Sequence, residues 1–103
     1  MRGSQQMKSI EQRIRDILVS QLDVDPEIAA RSGPQTPLIG RGIGLDSVEA
    51  MALAVGIEEA FNIEIPDDDL TADLFQSIAT LADYVSRKQS EQRDSDAEGE
   101  PDG

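Results

Sequence analysis

Gly44-Leu45-Asp46-Ser47-Val48-Glu49-Ala50-Met51-Ala52-Leu53-Ala54-Val55-Gly56-Ile57-Glu58-Glu59-Ala60-Phe61 is the stretch on which the fold turns. Gly44 ends a loop, and Asp46 is placed to cap a helix starting at about Ser47. Glu49 follows Asp46 by three residues, so the two form an aspartate version of the capping box. At about 100° per residue, Ala50, Leu53, Ala54, Ile57 and Phe61 share one face, while Val48, Met51 and Val55 lie on nearly the opposite one. The first face makes core. The second exposes apolar groups beside Glu49, Glu58 and Glu59, a pattern that fits a protein docking surface. Ser47 falls at the mouth of the helix, where free backbone N–H groups and the helix dipole favour a phosphate.

Working outward, Ile10, Ile14, Ile17, Leu18 and Leu22 follow helical spacing and predict a first helix over about 10–22. Ser9 is its candidate cap, with Gln12 completing the box. Asp25-Pro26-Glu27-Ile28 reads as one extra turn, with proline at a first helical position. Residues 31–45 hold Gly33, Pro34, Pro37, Gly40, Gly42 and Gly44. Leu38, Ile39 and Ile43 are spaced to anchor this long loop on the core. Pro66 begins a short helical turn through about Asp73. Ser77 caps a last helix from Ile78 to about Arg87, with Ile78, Leu81, Ala82 and Val85 inward and Arg87-Lys88 suited to its C-terminal dipole. The polar ends, residues 1–8 and 89–103, read as a disordered leader and a disordered acidic tail around a domain spanning 9–88. Met7-Lys8 serves as well as Met1 for a natural beginning. The fold class is all-α: a small bundle of three main helices plus one short helix, with a long first loop.

Composition narrows the chemistry. With 103 residues the chain makes one small domain. It contains no Cys and no His, which removes thiolate chemistry and the commonest general base and metal ligand. The net charge of −12 argues against nucleic acid. Between Arg41 and Arg87 there is no cation, and the same stretch carries Asp46, Glu49, Glu58, Glu59, Glu64, Asp67, Asp68, Asp69, Asp73 and Asp83. Such one-sided charge steers basic partners. Asp67-Asp68-Asp69 with Asp73 fails the calcium-loop pattern, since the acids are contiguous and the turn glycine and closing glutamate are missing. No apolar run is long enough to span a membrane, and nothing resembles a signal peptide. A cytoplasmic monomer that does not insert into membranes is expected.

In Gly44-Leu45-Asp46-Ser47-Val48-Glu49, Ile57-Glu58-Glu59-Ala60-Phe61, Glu64-Ile65-Pro66 and the closing segment Ile78–Val85, the chain resembles the acyl and peptidyl carrier proteins over about residues 10–88. The resemblance implies a small four-helix carrier whose Ser47 accepts a 4′-phosphopantetheine arm, covalently, from coenzyme A. It implies a carrier rather than an enzyme, holding acyl intermediates as thioesters for fatty-acid, lipid or polyketide-like synthesis. Asp46 then helps present the site to a phosphopantetheinyl transferase, which supplies base and magnesium. Val48, Met51 and Val55, with Glu49, Glu58 and Glu59, meet acyl-transferring and synthase enzymes through their basic patches.

The sequence departs from that family at three places. Ala52 stands where fatty-acid carriers typically have another glutamate, and Arg41 lies where acid is more usual. Gly56 interrupts the second main helix and either admits a partner or lipid chain closely or has no role. A peptidyl or aminoacyl carrier, and an unmodified acidic interaction module of the same fold, stay open as alternatives.

Overall fold

The computed structural model describes the backbone of residues 2–99 and the side chains of residues 8–91. Helix α1 spans Arg2–Leu22, α2 Pro26–Arg31, α3 Ser47–Phe61 and α4 Ile78–Gly99; a single 3-10 turn, η1, covers Asp67–Asp69. Among the described residues no β-strand forms, and the one β-bridge joins Ile39 to Leu45. Helix α1 packs against α3, α4 and α2, so the three long helices enclose the core with α2 laid on α1.

The predicted stripes are the observed core. Ile10, Ile14, Ile17 and Leu18 of α1, Ala50, Leu53, Ala54, Ile57 and Phe61 of α3, and Ile78, Leu81, Ala82 and Val85 of α4 are all buried, while Leu22, expected in the α1 stripe, is half-buried at the end of that helix. Burial of each large aliphatic side chain contributes about 1.5–3 kcal/mol, and in a chain with few aromatics these contacts are the main source of stability. The connection after α3 adds core that helical spacing does not reveal. Ile63 and Ile65 are buried while Glu64 and Pro66 are exposed, an extended alternation, and Leu74 and Phe75 close the same side.

Several boundaries differ from the expectation. Helix α1 begins at Arg2, so Ser9 is an exposed interior position and not a cap. Only Gly3 opposes helix between Arg2 and Lys8, and a helix nucleated by the packed half propagates readily through such residues. Helix α4 likewise runs past Arg87 to Gly99. Arg87 therefore pairs within the helix with Asp83 at 3.1 Å and does not meet a helix end. Met1 and residues 100–103, part of the expected disordered segments, lie outside the described residues. The turn predicted through Asp73 is helical only over Asp67–Asp69. Leu70 leaves the helical region at φ −82°, ψ 78°, and the chain continues to Gln76 by i to i+3 turns. Ile39 is 38% exposed, so the loop is anchored by Leu38, fully buried, by Leu45, and by Ile43, half-buried against the core as expected.

Side chains tie the pieces together where sequence spacing is silent. Arg13 donates to the Ala60 carbonyl at 3.1 Å and lies 4.9 Å from the Phe61 ring centroid. A cation at that point satisfies a terminal carbonyl and opposes the negative end of α3. Arg15 does the same just past α2, donating to the Ser32 carbonyl at 3.0 Å. Tyr84 donates to Asp69 at 2.6 Å and fastens η1 to α4. Burial, then the hydrogen bond and charge of Asp69, push the Tyr84 phenol well above its ordinary value.

Gly56 faces inward, which corrects the idea that it admits a partner. A Cβ there lies 2.7 Å from Gln21 Oε1 and 3.1 Å from Ile17 Cγ2, so the glycine lets α3 approach α1. Gln21 is exposed and free to swing. Its displacement offsets the helix-propensity gain of about 1 kcal/mol, and Gly56→Ala should change urea-unfolding stability by less than about 1 kcal/mol. Gly56→Leu has no such escape against Ile17 and should cost about 1–3 kcal/mol in the same measurement.

Candidate functional site

The loop between α2 and α3 delivers the chain to Ser47. Gly33 N–H donates to Thr36 Oγ1 at 2.9 Å, and Thr36 N–H returns to the Gly33 carbonyl at 3.1 Å, closing a turn. Ile43 N–H donates to the Pro37 carbonyl at 2.8 Å and Leu45 N–H to the Leu38 carbonyl at 3.0 Å. Gly40 and Gly44, at φ +79° and +88°, supply the left-handed residues this tight return requires. The result is an ordered loop whose last buried residue, Leu45, lies two positions before Ser47.

Helix α3 then starts as its sequence dictates. Asp46 is the N-cap, with Oδ1 accepting from Glu49 N–H at 2.8 Å, and Glu49 Oε1 accepts from Asp46 N–H at 3.1 Å. Ala50 N–H takes the Asp46 carbonyl at 2.8 Å. Among the described residues, the N–H groups of Ser47 and Val48 have no protein acceptor, and Ser47 Oγ has no hydrogen-bond partner. Ser47 and its neighbours Asp46, Val48 and Glu49 are exposed. An exposed hydroxyl thus stands beside two unpaired amides at the positive end of a helix, which fits an attached phosphate; carboxylate or phosphate near such an end gains about 0.3–1 kcal/mol. Removing the cap is costly in proportion: Asp46→Ala should lower stability by about 1 kcal/mol, read as a shift of the urea midpoint at constant m-value.

The other serines singled out by sequence are engaged or misplaced. Ser77 is buried, and its Oγ accepts from Thr80 N–H at 3.1 Å as the predicted cap. Ser32 is buried, with Oγ donating to the Ile28 carbonyl at 2.7 Å. Ser9 lies inside α1.

Beyond Ser47, α3 presents Val48 at 76% exposure, and Met51 and Val55 at 51% each. Glu59 is exposed beside them. Glu58 is turned elsewhere: half-buried, its Oε2 accepts from Ile65 N–H at 2.8 Å and holds the Ile63–Ile65 segment to the helix. The face is therefore less acidic than the sequence implied, because one of its three glutamates is committed to the fold and Glu49 also serves the cap. Spacing along a helix places a carboxylate on a face but does not reveal that a following loop will return to it.

Comparison with known proteins agrees with this architecture. Residues 12–85 match the family model described as "Phosphopantetheine attachment site". The chain belongs to this family of phosphopantetheine-bearing acyl carrier proteins: it is a carrier and not an enzyme, and its cofactor is a covalently attached 4′-phosphopantetheine. It is 32% identical over 82 residues, 80% of this chain and 94% of the relative, to a protein named "Acyl carrier protein" from Syntrophobacter fumaroxidans (strain DSM 10017 / MPOB). No described helix is long and apolar enough to cross a membrane.

Proposed function

We propose that Ser47 is the attachment point and that residues 9–88 are the working carrier unit. One observation supports this most directly: Ser47 combines a solvent-exposed hydroxyl, a helix N-terminus with two unpaired amides and a formed Asp46–Glu49 box. The serine oxygen would be esterified to the arm's phosphate, and the Ser47 and Val48 amides are the groups positioned to meet it. Once bound, the arm supplies a terminal thiol that holds acyl groups as thioesters, the sulfur this chain lacks. A phosphopantetheinyl transferase supplies the base that Ser47 has no histidine to provide.

Val48, Met51 and Val55, rimmed by Glu49 and Glu59, form the docking face for the transferase and for acyl-transferring or synthase enzymes with basic patches. Exposed charge at such a rim acts mainly on encounter rate and weakens with salt, which suits a shuttle that must also leave. The cargo in this reading is acyl groups of fatty-acid, lipid or polyketide-like synthesis in the cytoplasm. Incubation of the full chain with coenzyme A, magnesium and a promiscuous phosphopantetheinyl transferase, followed by intact-mass measurement, tests it. A gain of one arm is expected; no gain with any transferase would favour the unmodified interaction module.

A further inference from the structure

The geometry points to Thr36 as a positioning residue for Ser47, acting through a relay of main-chain hydrogen bonds that begins at the far helix, α4. This inference rests on Ser47 as the attachment point.

Thr36 is half-buried and serves three bonds at once. Its Oγ1 accepts from Gly33 N–H at 2.9 Å, its N–H donates to the Gly33 carbonyl at 3.1 Å, and its carbonyl accepts from Ile78 N–H at 3.2 Å. The neighbouring Pro34 carbonyl accepts from Ala79 N–H at 2.8 Å. The turn Gly33–Thr36 thus supplies acceptors for the first two amides of α4, with Ser77 Oγ taking the third, from Thr80. Those helix-end donors would otherwise be unsatisfied, so the loop and α4 hold each other.

From there the bonds run toward Ser47. Leu38 N–H donates to the Phe75 carbonyl at 3.2 Å, just ahead of α4, and the Leu38 carbonyl accepts from Leu45 N–H at 3.0 Å. Leu38 is fully buried and Leu45 nearly so, which makes the link stiff. Leu45 is followed by Asp46, the cap, and then Ser47. The start of α3 is therefore fixed from two sides: by its own capping box, and by a loop registered on the start of α4. The first half-turn of that loop depends on one hydroxyl, because Thr36 Oγ1 is the acceptor that holds Gly33.

The consequence is specific to presentation of Ser47 rather than to its chemistry. Thr36→Val keeps shape and β-branching but removes the acceptor, whereas Thr36→Ser keeps the acceptor. Two measurements on the full chain read the result. Amide hydrogen exchange should show Leu38, Leu45 and Ile78 opening together in the unsubstituted protein, and in Thr36→Val all three should exchange about two- to tenfold faster, the span of one hydrogen bond, with Leu53 and Ile57 unchanged. Arm transfer from coenzyme A should show the KM for the carrier raised by a similar factor and kcat preserved, and Thr36→Ser should restore it.

Unchanged Leu45 exchange and unchanged KM in Thr36→Val would overturn the inference. So would equal acceleration at Leu53 and Ile57, which marks a general loss of stability. Should Thr36→Val not fold, independent opening of Leu45 and Ile78 in the unsubstituted chain overturns the inference by itself. Arm uptake by Ser47→Ala would instead sink the attachment reading, while the exchange data, taken on unmodified protein, would still report on the relay.

Discussion

Ser47→Ala should abolish arm attachment entirely while leaving the fold in place. The chemical effect is all-or-none because the transferred phosphate needs an oxygen to join, and the other serines of the folded domain that sequence singles out are closed to it. Ser32 and Ser77 are buried with their hydroxyls engaged, and Ser9 sits in the middle of α1, away from any helix start. The structural effect is small for the same reason that the chemical one is large. Ser47 Oγ makes no hydrogen bond among the described residues, the side chain is exposed, and the cap belongs to Asp46. Alanine is also the best helix former. Unfolding free energy should therefore stay within about 0.5 kcal/mol of the parent. Intact mass after incubation with transferase and coenzyme A, beside a urea melt, separates the two effects. A retained mass gain would reassign the attachment point, and a large loss of stability would mean that the serine has a structural role the geometry does not show.

Much of this was legible in the sequence because the signals were local. The box Asp46–Glu49 fixes a helix start within three residues, and the inward stripe of α3 needs only the helical period, so both emerged where they were expected. The same holds for Pro26 opening α2 and for Ser77 capping α4. What escaped was contact between segments distant in the chain. The Arg13 bond to Ala60 spans 47 positions, and no pattern within α1 distinguishes it from a solvated cation. Glu58 looked like a surface carboxylate until the chain returned at Ile65 to use it. Ile63 and Ile65 carried a readable signal, the alternation Ile-Glu-Ile-Pro, but a period of two is easily passed over between helices. Ser9 misled for the opposite reason: a good local cap pattern was overridden when the helix simply continued through it.

The glycines of the first loop offer the second large effect, and they separate space from backbone conformation. At Gly33 nothing lies within 4 Å of an added Cβ and φ is not left-handed, so Gly33→Ala should be close to neutral. At Gly40 the space is equally open, but φ is +79°, and a left-handed alanine costs about 1–2 kcal/mol. At Gly42 the obstacle is backbone. The new Cβ would collide with the Pro37 carbonyl, and Pro37 Cδ would stand 2.8 Å away. Neither is the loose end of a side chain, so relief requires the loop itself to move. That carbonyl also accepts the Ile43 N–H, and its neighbour Leu38 receives Leu45. Moving it breaks the first bond and strains the second, beside a fully buried leucine. Gly42→Ala should consequently cost about 2–3 kcal/mol, combining overpacking with a lost hydrogen bond. In a small domain whose total stability is of the order of 5–15 kcal/mol, that is a large share. The order Gly33, Gly40, Gly42 in urea midpoints is the check. Gly42→Ala alone should also slow arm transfer to the folded fraction, because only there is the path to Leu45 displaced; equal midpoints for Gly40→Ala and Gly42→Ala would mean that the loop yields at Pro37 and does not set the position of Ser47.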